Sequence, residues 1–227
     1  MTVTPLPQIV ENSASDFLTK PFYALVDNPN FSARTQEAKL FVGMTGQGKT
    51  YSTATEFVPY LFNNHDMDLV IYTYPLTEIK DDNDWVKAQI KSGAQIVTNP
   101  IEVINFLKQG AKVIFLTTHQ GFVVGDKGKK LVKYLKKTSK NFSIWVDEAH
   151  SWMVSDIINY KNTTGNNTRI YEAKLFKALQ ELSIKTPYIF GLTATPSREA
   201  TGVVSPYGDM KITIVNEFPP KELLINT

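Results

Sequence analysis

The chain has 227 residues, of which 42% are hydrophobic and 20% charged, enough to bury one sizeable core. It contains no cysteine and three histidines, which excludes a disulfide framework or a thiolate metal site and argues against zinc. A formal charge of +2 does not by itself point to a polyanionic partner. No apolar run reaches the roughly 18 to 20 residues that span a bilayer. The start, Met1-Thr2-Val3-Thr4-Pro5, lacks the basic and apolar stretches of a secretory signal. A cytoplasmic location without a membrane partner is therefore expected.

Residues 1–37 are polar and turn-rich, with Pro5, Pro7, Pro21 and Pro29, and read as an N-terminal arm with one short helix near 15–20. From residue 38 the pattern becomes regular. Short β-rich apolar runs fall at 38–42, 69–73, 95–98, 112–117, 142–146, 188–193 and 211–215. Helical spacing falls between them, at 50–61, 85–92, 101–109, 129–137 and 170–182. Strands alternating with helices predict an α/β domain over 38–216, with a mostly parallel central sheet covered on both faces. Residues 124–130, with Gly125 and Gly128, and 159–168, rich in Asn, read as mobile loops.

The run 38–42 feeds into Gly43-Met44-Thr45-Gly46-Gln47-Gly48-Lys49-Thr50, and helical spacing follows. This strand–loop–helix setting is what a phosphate loop needs. Glycines at 43, 46 and 48 permit the turn and, with Thr45 and Gln47, expose backbone N–H groups at a helix N-terminus. Lys49 would reach the β- and γ-phosphates of ATP, and Thr50 would offer its hydroxyl to Mg²⁺. The run 142–146 ends in Asp147-Glu148-Ala149-His150. Asp147 would engage the metal, and Glu148 would polarise the attacking water. A third run ends in Gly191-Leu192-Thr193-Ala194-Thr195-Pro196, whose hydroxyls could sense the state of the acidic motif. Each motif alone has a bland reading as a turn or a helix start; three in this order are far more specific.

In these motifs the sequence resembles the first motor domain of superfamily 2 helicases and translocases, in the DEAH-type branch that includes type I and III restriction translocases. The resemblance covers most of residues 38–200. It implies a three-layer RecA-like P-loop NTPase that hydrolyses ATP, and a nucleic-acid partner, DNA rather than RNA. It also implies coupling roles for His150, Thr193 and Thr195, and backbone-phosphate contacts at Thr73, Pro75, Thr117 and Thr118. Gln36, near Arg34, is the candidate reader of adenine, although only one residue separates it from the strand at 38–42. The family completes its site with arginines of a second RecA-like domain. Here the only arginines are Arg34, Arg169 and Arg198, and residues 217–227 look like the start of a linker to such a domain. Full activity is thus expected to need a second domain, with weak or no turnover by this chain alone. The rival readings are an ATP-binding switch or scaffold without translocation, and a phosphotransferase, for which no acceptor pocket is visible. The cluster Lys127, Lys129, Lys130, Lys133, Lys136, Lys137 and Lys140 reads as a solvated helix face, with a nucleic-acid-facing patch as the alternative. Trp145 and Trp152 are expected in the core.

Overall fold

The computed structural model describes residues 14–33, 36–43, 48–75, 83–149, 168–194 and 210–216, with the backbone alone at 14–16, 33 and 168–173. Residues 1–13 of the expected arm, 159–167 of the expected loop and all of 217–227 lie outside the described residues, as does Trp152.

Seven strands are present: β1 (Glu37–Val42), β2 (Leu69–Tyr74), β3 (Gln95–Val97), β4 (Val113–Thr118), β5 (Phe142–Val146), β6 (Ile189–Thr193) and β7 (Lys211–Ile214). They form one sheet in the order β3-β4-β2-β5-β6-β1-β7. Every pairing is parallel, so the mostly parallel expectation becomes wholly parallel among the described strands. The inner strands β2, β5 and β6 are buried at every position, as a sheet covered on both faces requires. The two edges, β3 and β7, are short and partly exposed, which limits edge-to-edge pairing.

Side chains alternate across each strand, so the sheet divides the core in two. On one face Phe41, Val70, Tyr72, Trp145 and Phe190 pack beneath α1 (Ala14–Val26), α2 (Lys49–Ser52), α3 (Val58–Asn64) and α4 (Asn83–Ser92). On the other, Leu40, Ile71, Phe115 and Ile144 pack beneath α5 (Pro100–Lys108), α6 (His119–Val123), α7 (Asp126–Leu135) and α8 (Thr168–Ser183). Trp145 is fully buried, as expected. No described helix is long and apolar enough to cross a membrane.

The helix near 15–20 extends over thirteen residues as α1 and belongs to the core. Leu18, Phe22 and Val26, each four residues apart, are all buried. Its C-terminal end is tied down by Asp27, whose carboxylate accepts from the Tyr60 hydroxyl at 2.8 and 2.9 Å and lies 3.2 Å from His65 Nε2. Burial and the neighbouring carboxylate push the Tyr60 phenol up to about 12.

The helix that leaves the phosphate loop is not uniform. A π turn, Thr53–Phe57, separates α2 from α3. Pro59 has no N–H to give the Thr55 carbonyl one turn back, and that carbonyl accepts from Lys91 Nζ at 2.7 Å instead. Thr53 and Thr55 also donate their hydroxyls to Lys49 and Tyr51 carbonyls at 2.8 Å, an arrangement that loosens helical pairing.

The expected loop at 124–130 is corrected. Gly125, at φ 89°, precedes α7, which already begins at Asp126. Gly128 lies within that helix, where α6 passes too close for a side chain: a Cβ there would lie 2.4 Å from the Phe122 carbonyl oxygen. Glycine marks a close approach here rather than a break. Gly128→Ala should therefore destabilise the domain by about 2 kcal/mol despite alanine's better helix propensity. Urea unfolding of the two proteins measures this; equal midpoints would show that α6 yields freely.

Candidate active site

β5, β6 and β1 are consecutive in the sheet and all point the same way, so the segments that follow them emerge side by side. In open parallel sheets ligands bind at this carboxyl end. Gly43, just after β1, donates its N–H to the Thr193 carbonyl at the end of β6 at 3.0 Å. On the other flank of β1, Asn216 acts as one more rung of β7. Its amide accepts from Val42 N at 2.8 Å and donates to Val42 O at 2.6 Å. The entrance to the phosphate loop is thus gripped from both sides.

Gly48 leaves the loop at φ 71°, a left-handed conformation that glycine adopts without strain, and α2 begins at Lys49. Lys49 is 8% exposed, and its ammonium donates to the Gly43 carbonyl at 2.7 Å. Burial lowers the Lys49 pKa from its ordinary value, while Glu148 and Asp147 act the other way. Asp147 is also 8% exposed. Its Oδ2 accepts from the Tyr72 hydroxyl at 2.8 Å and lies 3.5 Å from Thr50 Oγ1; its Oδ1 accepts from Glu148 N at 3.0 Å. Burial raises the Asp147 pKa, opposed by the bond from Tyr72, the Glu148 N–H and the Lys49 charge. Glu148 has φ 48°, a strained backbone for a residue with a side chain and one that recurs at functional sites.

The structure thus brings together Gly43, Gly48, Lys49, Thr50, Asp147, Glu148 and Thr193. Thr45, Gly46, Gln47, His150 and Thr195 lie outside the described residues. Gln36 stands apart: it precedes β1, its main chain pairs with Ser183 and Lys211, and the six-residue strand separates it from the loop by roughly 20 Å. That is where the structure places the residue expected to read adenine. Thr73 is fully buried and donates its hydroxyl to the Trp145 carbonyl at 3.2 Å. Thr117 is buried too, with its hydroxyl 3.4 Å from the Thr118 carbonyl. Thr118 is half-buried and caps α6, accepting from Gly121 N at 2.9 Å, while Pro75 is exposed. Sequence reasoning missed Tyr72 and Asn216. The available signal for Tyr72 was a phenol inside a strand buried on both faces, whose hydroxyl must find a polar partner.

The Asp147 carboxylate and the Thr50 hydroxyl beside a buried ammonium suit Mg²⁺ carried in on phosphates, since that ion takes one or two protein oxygens and keeps the rest for water and nucleotide.

A wholly parallel sheet of this order, with the Gly43–Thr50 motif after β1 and an acidic pair after β5, defines a RecA-like α/β fold. The chain belongs to the family described as type III restriction enzyme, res subunit (ResIII), whose pattern it matches over residues 10–198. Among solved structures it is similar to the DUF1998 helicase MrfA, with a TM-score of 0.51 and 14% identity over 94% of this chain and 33% of that one. It is also similar to the Sulfolobus solfataricus SWI2/SNF2 ATPase core, solved with dsDNA, with a TM-score of 0.46 and 22% identity over 78% of this chain and 31% of that one. The chain spans about a third of the length of each. No curated protein matches it.

The net upward shift of Asp147 has a stability consequence. Its folded pKa lies above the unfolded value, so the folded state favours the protonated carboxyl. That contribution is present below the unfolded pKa and is lost as pH rises through the folded one. At neutral pH, without metal, Asp147→Asn should then raise the thermal midpoint by a few degrees, about 2–4 °C per kcal/mol relieved for a chain of this size. Thermal melts in EDTA check it; a lower midpoint for the variant would contradict the sign.

Proposed function

We propose that this end of the sheet binds Mg²⁺ and ATP and hydrolyses ATP to ADP and phosphate, driving movement along nucleic acid. The observation that carries the reading is the burial of the Lys49 ammonium and the Asp147 carboxylate at the same end of the sheet, after β1 and β5 on either side of β6, with Thr50 within 3.5 Å of Asp147. Lys49 and the backbone N–H groups of 43–50 would hold the phosphates, with Thr45, Gly46 and Gln47 contributing from the loop's interior. Thr50 and Asp147 would hold the metal, which neutralises charge developing on the phosphates. Glu148, adjacent to Asp147, would orient the attacking water. Thr193, bonded through its carbonyl to the loop, would couple the site to its surroundings together with Thr195 and His150. The acidic pair favours hydrolysis over a binding-only switch.

The sequence Asp147-Glu148-Ala149-His150 supports the DEAH-type branch. The family's description, a restriction enzyme, supports DNA over RNA. Thr73, Pro75, Thr117 and Thr118, at the ends of adjacent strands, would form the edge that meets the nucleic-acid backbone, with Pro75 and Thr118 the more exposed. With three arginines in the chain, the arginine that completes such a site would come from a second RecA-like domain. On this reading 1–37 is an arm, 38–216 the first motor domain and 217–227 a linker.

Lys49→Ala should abolish ATP binding in a fluorescent-nucleotide titration; undiminished affinity would sink the assignment. The 227-residue chain should also hydrolyse ATP about 10³-fold or more slowly than a form joined to its second domain and supplied with DNA. Rapid turnover by the chain alone, or indifference of the joined form to DNA, would overturn this.

A further inference from the structure

Tyr72 has no part in the roles assigned above, yet its hydroxyl stands at the centre of the site. Tyr72 pairs with Trp145 across β2 and β5, and Asp147 follows two residues after Trp145 on the same face. The phenol ring, fully buried, packs against Trp85 with centroids 4.6 Å apart. A phenylalanine would fill that space equally well, so packing accounts for the ring and not for the oxygen. That oxygen is 2.8 Å from Asp147 Oδ2 and 3.3 Å from Thr50 Oγ1, closing a triangle whose third side is the 3.5 Å between Thr50 and Asp147. Asp147 Oδ1 is meanwhile fixed by the Glu148 N–H.

We infer that Tyr72 is a positioning residue that presets Thr50 and Asp147 for the metal ion, and so sets how much Mg²⁺ the site needs. The inference rests on the nucleotide-site reading and deepens it. Two oxygens from different elements must face one ion, and a carboxylate free to rotate would lose part of its affinity in being ordered. The Tyr72 hydroxyl does that ordering in advance. It acts through Asp147 and Thr50, not on the nucleotide. Its loss should therefore weaken metal-dependent binding and leave metal-free binding alone. Hydrogen bonds to the residues that ligate a metal tune its affinity in general.

The test is calorimetric titration of a non-hydrolysable ATP analogue into wild type, Tyr72→Phe and Tyr188→Phe, each across a Mg²⁺ series and in EDTA. Tyr188→Phe removes another tyrosine hydroxyl, one facing His65 and not this cluster, and serves as the structural control. For Tyr72→Phe the half-saturating Mg²⁺ should rise about tenfold, the size expected when a hydrogen bond to a charged group is lost. Its affinity in EDTA and its thermal midpoint should stay near wild type, and the control should match wild type throughout. An unchanged or lowered Mg²⁺ requirement in Tyr72→Phe overturns the inference while leaving the nucleotide site intact. So does an equal loss with and without metal, which would mark a packing role. Absence of Mg²⁺-dependent binding in wild type itself would instead overturn the site reading, and this inference with it.

Discussion

One constraint organises this domain: an ammonium and a carboxylate must both be kept nearly dry at the same end of a parallel sheet. Neither gains from burial alone, since desolvation lowers the Lys49 pKa and raises that of Asp147. A side chain held against its own solvation preference needs a stiff frame. Here the frame is main chain. The Asp147 N–H donates to the Thr73 carbonyl at 2.8 Å, which continues the β2–β5 ladder by one residue and fixes where the carboxylate begins. Lys49 opens a helix directly after the left-handed Gly48, so its direction is set by the loop's exit. The parallel sheet then brings both groups together, because strands running the same way end on the same side.

Beneath that polar surface the same face of the sheet is aromatic. Phe22 of α1 stacks on Phe57 of the π turn at 4.3 Å, and Trp145 of β5 meets Phe190 of β6 at the same distance. Phe41 of β1 lies within 6.3 Å of Phe57, Trp145 and Phe190. These rings join the three strands that carry Gly43, Asp147 and Thr193 to the helix that carries Lys49 and Thr50. Densely packed rings transmit displacement rather than absorb it. A shift of the helix that carries Lys49 is therefore felt by all three strand ends.

Most of the fold was legible because burial on both faces leaves a strong trace: seven β-rich runs, each bounded by turn residues or a helix. The site's charged members were legible for a similar reason, since Gly43–Thr50 and Asp147-Glu148 follow directly from apolar strands. What escaped was set by tertiary contact. Gly125 and Gly128 carry a loop's composition, but Gly128 answers to the backbone of α6 and not to a turn. Thr73 carries a hydroxyl of the kind that can bind phosphate, but strand alternation turns it into the core beside Ile71, where the Trp145 carbonyl accepts its hydrogen bond. Gln36 lies close to the loop in sequence and far from it in space, because a strand is the most extended way to separate two residues. Tyr72 was hidden by its strand: a run of buried residues conceals which of them carries a polar atom to a partner 75 residues away.

Asn216 shows how the end of the described chain bears on the beginning of the site. β7 pairs with β1 only as far as Leu40, opposite Ile214, and the Val215 N–H still reaches the Leu40 carbonyl at 2.9 Å. One step on, the main chain is replaced by a side-chain amide, which offers the same donor and acceptor to Val42 from a position 174 residues distant. An amide can mimic a peptide group because it carries both functions in one plane. Val42 is therefore held on one side by β6 and on the other by Asn216, and Gly43 enters the phosphate loop from a residue with no slack. Aspartate in that position could not donate, and leucine could do neither, leaving buried main-chain groups of Val42 unpaired. The rigidity of the loop's first residue thus depends on a segment that carries no motif at all.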